Sequence, residues 1–298
     1  MGLRPDFKAD LSLLALSALW GATFVVVKRA LVDSSPFAFL AVRFGIATLA
    51  LGLAFRRDAF PIRWATARAG AWLGVLLGSG FALQTLGLVR TTATRSAFLT
   101  GLSVAVVPLL AAMIGRGALT PATVLGAAMA VAGLRLVTWP SAGIETDGFG
   151  PGETLTVLCA IVFAAHIVGV DIAARRHEVR SLVFLQIAMA LLVCAPLALL
   201  AEPTRFSLTP ALAGALIVTG LGGTAIAYVV QNAVQPDTTA AQAAIIFSTE
   251  PIFAALTAFA VDGERPTARF TAGAALIVGA MVAPRIPFGR RRTDGAAG

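Results

Sequence analysis

Apolar residues along this chain fall in blocks of about 18 to 24, divided by short polar or charged breaks. A block of about 20 apolar residues, rising 1.5 Å per residue as a helix, crosses the roughly 30 Å of hydrocarbon in a bilayer. The pattern predicts ten spanning helices, at about 11–31, 36–55, 69–89, 95–115, 121–139, 153–174, 181–201, 209–233, 239–260 and 266–284. The fold class is therefore all-α, a polytopic membrane protein. Pro36, Pro121 and Pro266 each stand at or near a first helical turn, where a missing N–H costs little. Most connections are short, so successive helices are antiparallel neighbours. The first apolar block is too long for a cleaved signal and reads as a retained helix.

The longest connection, Pro140–Gly152, holds Gly143, Gly148, Gly150 and Pro151 and marks a boundary between two halves, 1–140 and 151–298. Both halves contain an apolar helix with an internal proline, a Gly-containing turn, a second proline and a Gly/Ala-rich helix. Pro108 and Pro251 are 143 residues apart, and Pro121 and Pro266 are 145 apart. If each half has five helices, an odd number, the second inserts upside down relative to the first, which predicts one membrane domain of two inverted five-helix repeats.

Composition agrees with the pattern. Hydrophobic residues make up 58% of the 298, charged residues only 13%, and the mean hydropathy is +0.86. A soluble domain needs about a quarter of its residues charged to wet its surface. The net charge of +8 comes from short basic clusters between apolar blocks, with no basic stripe interleaved with aromatics, so no nucleic-acid partner is expected. With the N-terminus inside, fourteen Lys and Arg fall on the cytoplasmic side and seven on the other, which places both termini in the cytoplasm. Lys28 and Arg29, directly after the first helix, run against that bias. Cys159 and Cys194 lie inside apolar segments and read as small buried residues.

A charge in hydrocarbon costs several kcal/mol unless paired or wetted, so Arg43 and Glu250 stand out. Arg43 either pairs with Glu250 or attracts an anionic substrate group, and Glu250 is either a structural partner or a proton carrier. His166 and Asp171 are five residues apart, about 140° around a helix, and cannot act together as base and orienter. Asp171 is better matched to Arg175 one turn later, leaving His166 as a cavity or hydrogen-bonding group. Gln84, Gln186, Gln231, Asn232 and Gln242 add polar groups at membrane depth. Gly70, Gly74 and Gly78 recur every fourth residue, a spacing that lets helix backbones approach, while Ser79 and Gly80 are candidates for leaving room beside a substrate. Gly220, Gly222 and Gly223 carry the same pair of readings and a local flex point. No hydrolytic, phosphate-binding or metal-ligand motif is present, and neither a cofactor nor a metal is expected.

Helix one reads W20-G-A-T-F-V-V-V-K28-R-A-L, followed by P36-F-A-F-L-A-V-R43-F. Helices nine and ten read S248-T-E250-P251-I-F-A-A, then G263-E264-R-P-T and A272-G273-A-A-L-I-V-G279. Together these strings resemble both repeats of the EamA family of the drug/metabolite transporter superfamily, over nearly the whole chain. The resemblance implies ten helices in two inverted repeats, a central cavity, alternating access and export of small metabolites. The first half departs from the pattern. It reads G115-R-G-A-L-T-P121, without the acid that Glu264 supplies in the second. The chain is also similar to YddG-type exporters of aromatic and other amino acids.

The expected protein is thus a bacterial inner-membrane exporter, not an enzyme, whose partners are a small-molecule substrate and the bilayer, and a monomer is the expected state. Trp20, Phe24, Arg43, Ser79, Gln84, Phe98, Phe163, His166, Tyr228 and Phe247 are its candidate cavity residues. Glu250 and Arg43 form a candidate polar or proton-coupling pair, and Pro108 and Pro251 are candidate hinges.

Overall fold

The computed structural model describes residues 5–56, 62–137, 150–262 and 267–282. Eight helical stretches are long and apolar enough to cross a membrane: Phe7–Ala30, Pro36–Phe55, Trp64–Arg90, Arg95–Met113, Pro151–Ala173, Val179–Leu200, Pro210–Asp237 and Ala240–Thr257. Two shorter apolar helices, Pro121–Val137 and Ala268–Val282, accompany them. Their 17 and 15 residues span about 26 and 23 Å, a little less than the hydrocarbon thickness. Large apolar side chains such as Trp72, Leu49, Leu53, Leu192 and Leu200 stay exposed on the outside of the bundle. In a bilayer they face lipid, and the chain is a multi-pass membrane protein. Pro266, Glu264, the connection 138–149 and the basic positions Arg4, Arg57, Arg265, Arg285 and Arg290–Arg292 lie outside the described residues.

In chain order the helices are α1 (Pro5–Ala30), α2 (Pro36–Phe55), α3 (Trp64–Arg90), α4 (Ala93–Gly101), α5 (Ser103–Met113), α6 (Pro121–Val137), α7 (Pro151–Ala173) and α8 (Val179–Leu200). Then come α9 (Pro210–Ile217), a π-helical segment (Val218–Ile226), α10 (Ala227–Val234), α11 (Ala240–Phe247), α12 (Glu250–Asp262) and α13 (Ala268–Val282). Pro36, Pro121, Pro151 and Pro210 open their helices, where an orphan N–H is not missed.

Packing follows the small residues. Helix α3 lies against α7 and α8, α2 against α8, α1 against α12, and α6 against α13. A Cβ on Gly74 would lie 2.4 Å from the Gln186 carbonyl oxygen, and one on Gly70 2.5 Å from the Leu185 Cβ. The glycine stripe of α3 is therefore an intramolecular seam against α8. Gly133 and Gly273 do the same for α6 and α13, where a Cβ on either would meet the other's carbonyl at 2.7 Å.

Two membrane-spanning stretches are broken. Helices α4 and α5 part at Leu102, and α11 and α12 part at Ser248–Thr249. Each stretch opens on a threonine N-cap, Thr92 accepting from the Arg95 N–H and Thr239 from the Gln242 N–H. Counted from that cap, Leu102 and Thr249 both stand ten residues along. The breaks are thus 147 residues apart while the prolines are 143 apart, so the first stretch has one extra helical turn between break and proline. Pro108 accordingly sits inside α5, six residues past the interruption, and Pro251 sits at the start of α12. The points of interruption precede both prolines expected as hinges.

Lys28 explains the local exception to the charge bias. Its Nζ donates to the carbonyls of Leu88 and Thr91, the latter at 2.9 Å. These are terminal carbonyls of α3 that no helical N–H can reach. The ammonium is consumed in holding the ends of α1 and α3 together.

Candidate functional site

The two breaks face a common space. A cavity of about 810 Å³, counting the part open to the outside, is lined by Thr100, Gly101 and Ser103 at the α4–α5 break and by Phe247 and Glu250 at the α11–α12 break. Its other walls come from α1, α2, α3, α7 and α10. It reaches as far as Val27 and Leu88, close to the ends of α1 and α3 that carry Lys28 and Arg90.

Arg43 is 3% exposed, yet it lines the cavity. Its Nε donates to the Thr224 hydroxyl at 2.8 Å and its Nη2 to the Gly223 carbonyl at 3.4 Å. The guanidinium carbon lies 4.4 Å from the centroid of the Phe81 ring, a cation–π contact. Both hydrogen-bond acceptors belong to the π-helical segment, where the wider i→i+5 turn frees carbonyls and redirects side chains. The Thr224 hydroxyl in turn donates to the Thr219 carbonyl at 2.8 Å, and the Trp20 indole N–H donates to the Gly223 carbonyl at 2.8 Å. Of its three glycines, Gly220 lets the segment approach α2 closely, lying against Ile46 and the Arg43 carbonyl, 3.1–3.2 Å from where a Cβ would be.

Glu250 is the first residue of α12, and it too lines the cavity. No hydrogen bond or ion pair joins its carboxylate to Arg43 or to any other described residue. The expected polar pair is therefore two separate groups: Arg43 is held by α2 and the π-helical segment, and Glu250 is presented by a broken helix. The break is stabilised by hydroxyls instead. Pro251 has no N–H for the Phe247 carbonyl, and the Ser17 hydroxyl lies 3.4 Å from that oxygen and from the Ile246 carbonyl. Thr249 Oγ1 is 2.7 Å from the Ile246 carbonyl and 2.8 Å from Ser17 Oγ, and Ser248 Oγ donates to the Ile245 carbonyl at 2.6 Å.

Aromatic rings form two groups around the cavity. Phe81 contacts Phe44 and Phe163 edge-on at 5.5 and 5.3 Å, under the Arg43 guanidinium. Trp20 contacts Tyr228 and Phe247 at 5.6 and 5.3 Å, and Tyr228 meets His166 at 5.8 Å. His166 Nε2 also shares a hydrogen bond of 3.0 Å with Gln186 Oε1. Asp171 instead accepts two bonds from Arg175, at 3.2 and 3.0 Å.

Trp20, Phe24, Arg43, Gln84 and Phe163 thus come together with His166, Tyr228, Phe247 and Glu250. Ser79 and Phe98 do not. Ser79 is five residues from Gln84, about 140° around α3, and its hydroxyl donates back to the Val75 carbonyl at 2.6 Å. The room expected at Gly80 is filled by the Phe163 ring, 2.4 Å from where a Cβ would be. Phe98 is two residues from Thr100, about 200° around α4, and packs in the apolar cluster with Leu13, Val104 and Leu134. Phe81, Thr85 and Leu88 line the cavity as well: Phe81 and Leu88 fall three residues before and four after Gln84 on its face of α3, and Thr85 falls one turn from each of them. Thr100 and Ser103 were legible in a duplicated signal, T91-T92-A and T238-T239-A, which aligns the two broken stretches.

The EamA-like transporter family matches this chain twice, over residues 7–139 and again over 150–283. An uncharacterized transporter of Archaeoglobus fulgidus is 33% identical over 274 residues, covering 92% of this chain and 84% of that protein. A solved crystal structure superposes with a TM-score of 0.74 at 21% identity, covering 93% of this chain and 96% of that one, so the fold is shared. Both matches fall on the segments that contain one broken helix each, and the chain belongs to the EamA-like transporter family.

Proposed function

We propose that this protein exports small metabolites, amino acids including aromatic ones foremost, by alternating access through the cavity between its two broken helices. The observation that carries the reading is the cavity itself: interrupted helices from both halves of the chain meet at it, and it contains a buried cation and a carboxylate that are not spent on each other. Broken helices at such a site supply free backbone groups and a place to bend without exposing unpaired backbone to lipid. The aromatic walls suit an apolar or aromatic body. The family match favours the transporter reading over a membrane enzyme, and that reading is supported by His166 being engaged with Gln186 and Asp171 with Arg175, so that neither stands as a free base.

The ten helices form two inverted five-helix repeats in this proposal, 1–140 and 151–298. Helix packing supports it. Taking each broken stretch as one helix, the contact of α1 with α12 has its counterpart in that of α7 with α4 and α5. The contact of α3 with α8 has its counterpart in that of α2 with the π-helical segment, and α6–α13 is its own counterpart. Both termini are cytoplasmic, the membrane is a bacterial inner membrane, and the functional unit is a monomer.

Counterflow of labelled aromatic and aliphatic amino acids into proteoliposomes tests the reading, beside empty liposomes. Saturable uptake of an aromatic amino acid is expected. Uptake of other metabolites but of no amino acid would retire the substrate assignment and keep the transporter.

A further inference from the structure

We propose that Arg43 and Glu250 are the two ends of a zwitterion clamp, selecting substrates that carry an anionic and a cationic group on one small frame. The proposal rests on the amino-acid reading and adds what the cavity measures in a substrate. Its basis is the way each charge is left incomplete. Arg43 is anchored from one side, by Thr224 and Gly223, and stacked on Phe81, while Nη1 donates to no acceptor among the described residues. A guanidinium so fixed offers planar donors to a carboxylate with little rotamer freedom left to lose. Glu250 offers acceptors from the first turn of α12 that no donor among the described residues satisfies.

The two groups also sit on different elements. Arg43 comes from α2, and Glu250 from the half-helix α12 that packs on α1 at Gly21. Were they paired, the cavity would hold a neutral, self-satisfied bridge with no use for a charged ligand. Held apart, neither group has a counter-charge beside it, and at membrane depth the charged form of each is costly until a ligand supplies one. A ligand bearing one charge relieves one group and leaves the other exposed to the same low dielectric. A zwitterion relieves both, so discrimination comes from what the wrong ligand leaves unpaired. Trp20 links the two ends: its indole N–H shares the Gly223 carbonyl with Arg43, while its ring packs on Phe247, three residues before Glu250.

The test holds the apolar body constant and varies the charges. Phenylalanine, 3-phenylpropionate and phenethylamine compete against labelled phenylalanine in proteoliposomes containing the wild type, Arg43→Gln, Arg43→Lys or Glu250→Gln. In the wild type, both singly charged analogues should compete at least about tenfold more weakly than phenylalanine, the effect of one lost charge-assisted contact. Glu250→Gln should narrow the gap between phenylalanine and 3-phenylpropionate while leaving phenethylamine weak. Arg43→Gln should narrow the gap to phenethylamine instead, and Arg43→Lys should restore preference for a carboxylate in part. A merely structural role would lower all three ligands by a common factor in both variants, and that result overturns the clamp. Equal competition by all three in the wild type overturns it too, with the amino-acid reading intact. Competition by none of the three sinks both.

Discussion

The two broken helices are built on one plan and loaded differently. Both begin at a threonine cap, both interrupt ten residues later, and both bring the interruption to the cavity. At Leu102 the chain needs one turn residue, whose N–H reaches the Leu99 carbonyl at 3.2 Å, and the helix resumes with Ser103. At Ser248–Thr249 three hydroxyls, two local and one from Ser17 on α1, gather around the freed carbonyls, and the helix resumes with Glu250. Ser103 and Glu250 stand 147 residues apart, at the same step after the cap. A shared architecture thus places a first-turn position in the cavity twice, and only the second half puts a charge there. In the proposed transport cycle the duplicated scaffold would supply bending and access, and the asymmetric residue the charge that a substrate meets.

The sharpest way to break this comparison is to remove the asymmetric charge. Glu250→Gln should lower amino-acid counterflow about tenfold to a hundredfold, the scale of one charge-assisted interaction of about 1.5–3 kcal/mol. Ser103→Ala should cost no more than about fivefold, since a neutral hydrogen bond contributes about 1 kcal/mol. Equal losses in both variants, measured as initial rates, would mean that the two positions share one role.

Helix α1 makes the same contrast. Gly21 packs on α12, where a Cβ would lie 2.4 Å from the Glu250 carbonyl oxygen and 2.8 Å from the Phe253 Cβ. The position 143 residues later is Ala164, fully buried against the residues of α5. One half-helix tolerates a methyl group at this contact and the other does not. Gly21→Ala should destabilise the fold by about 1–3 kcal/mol through overpacking against backbone. Ala164→Gly should cost about 1 kcal/mol, from helix propensity and lost packing. Thermal shifts of the two detergent-solubilised variants decide between them, and a larger loss for Ala164→Gly would contradict the asymmetry. Thr249→Val comes next, at about 1 kcal/mol, because it removes the hydroxyl that satisfies the Ile246 carbonyl.

Much of this arrangement is legible in the sequence, and the rest is hidden for identifiable reasons. Apolar block length announced the helices, and the proline offsets announced the duplication, because both are local and one-dimensional. The two charges were found by asking which groups are costly in lipid, and the cavity aromatics by their mid-helix rather than interfacial positions. Pairing Arg43 with Glu250 was the natural inference from cost alone, but cost says only that each charge needs a partner. The π-helical segment gave Arg43 its hydroxyl and carbonyl, and no periodicity marks a π turn beforehand beyond three glycines in four residues. Ser79 and Phe98 fail on phase: each is of suitable type and depth but turned 140–200° from a neighbour that does line the cavity.

The helix starts before the cavity sharpen the comparison once more, at the smallest scale. Ser35 and Glu178 precede α2 and α8 and are 143 residues apart, yet they cap differently. Ser35 makes no side-chain cap. The α2 N-terminus borrows Glu202, whose Oε1 accepts from the N–H groups of Phe37 and Ala38 at 2.8 and 3.2 Å. Glu178 caps its own helix, accepting from Arg180 and Ser181 at 2.9 and 2.6 Å. Partial burial disfavours its charged form, but those two N–H groups, with the Arg180 charge, outweigh it and hold the carboxyl below the ordinary glutamate range. A carboxyl lowered in the folded state contributes stability that is present above its unfolded pKa. That contribution is lost as pH falls through the lower folded value. Glu178→Ala should therefore cost about 0.5 kcal/mol at neutral pH, the low end for an exposed cap, and the difference from wild type should vanish in acid. Glu202→Ala should cost more, about 1 kcal/mol, since it releases two N–H groups and a contact between distant loops. Thermal shifts of both variants across that pH range measure the pair. A Glu178→Ala deficit that persisted unchanged in acid would assign its effect to packing rather than to the capping charge.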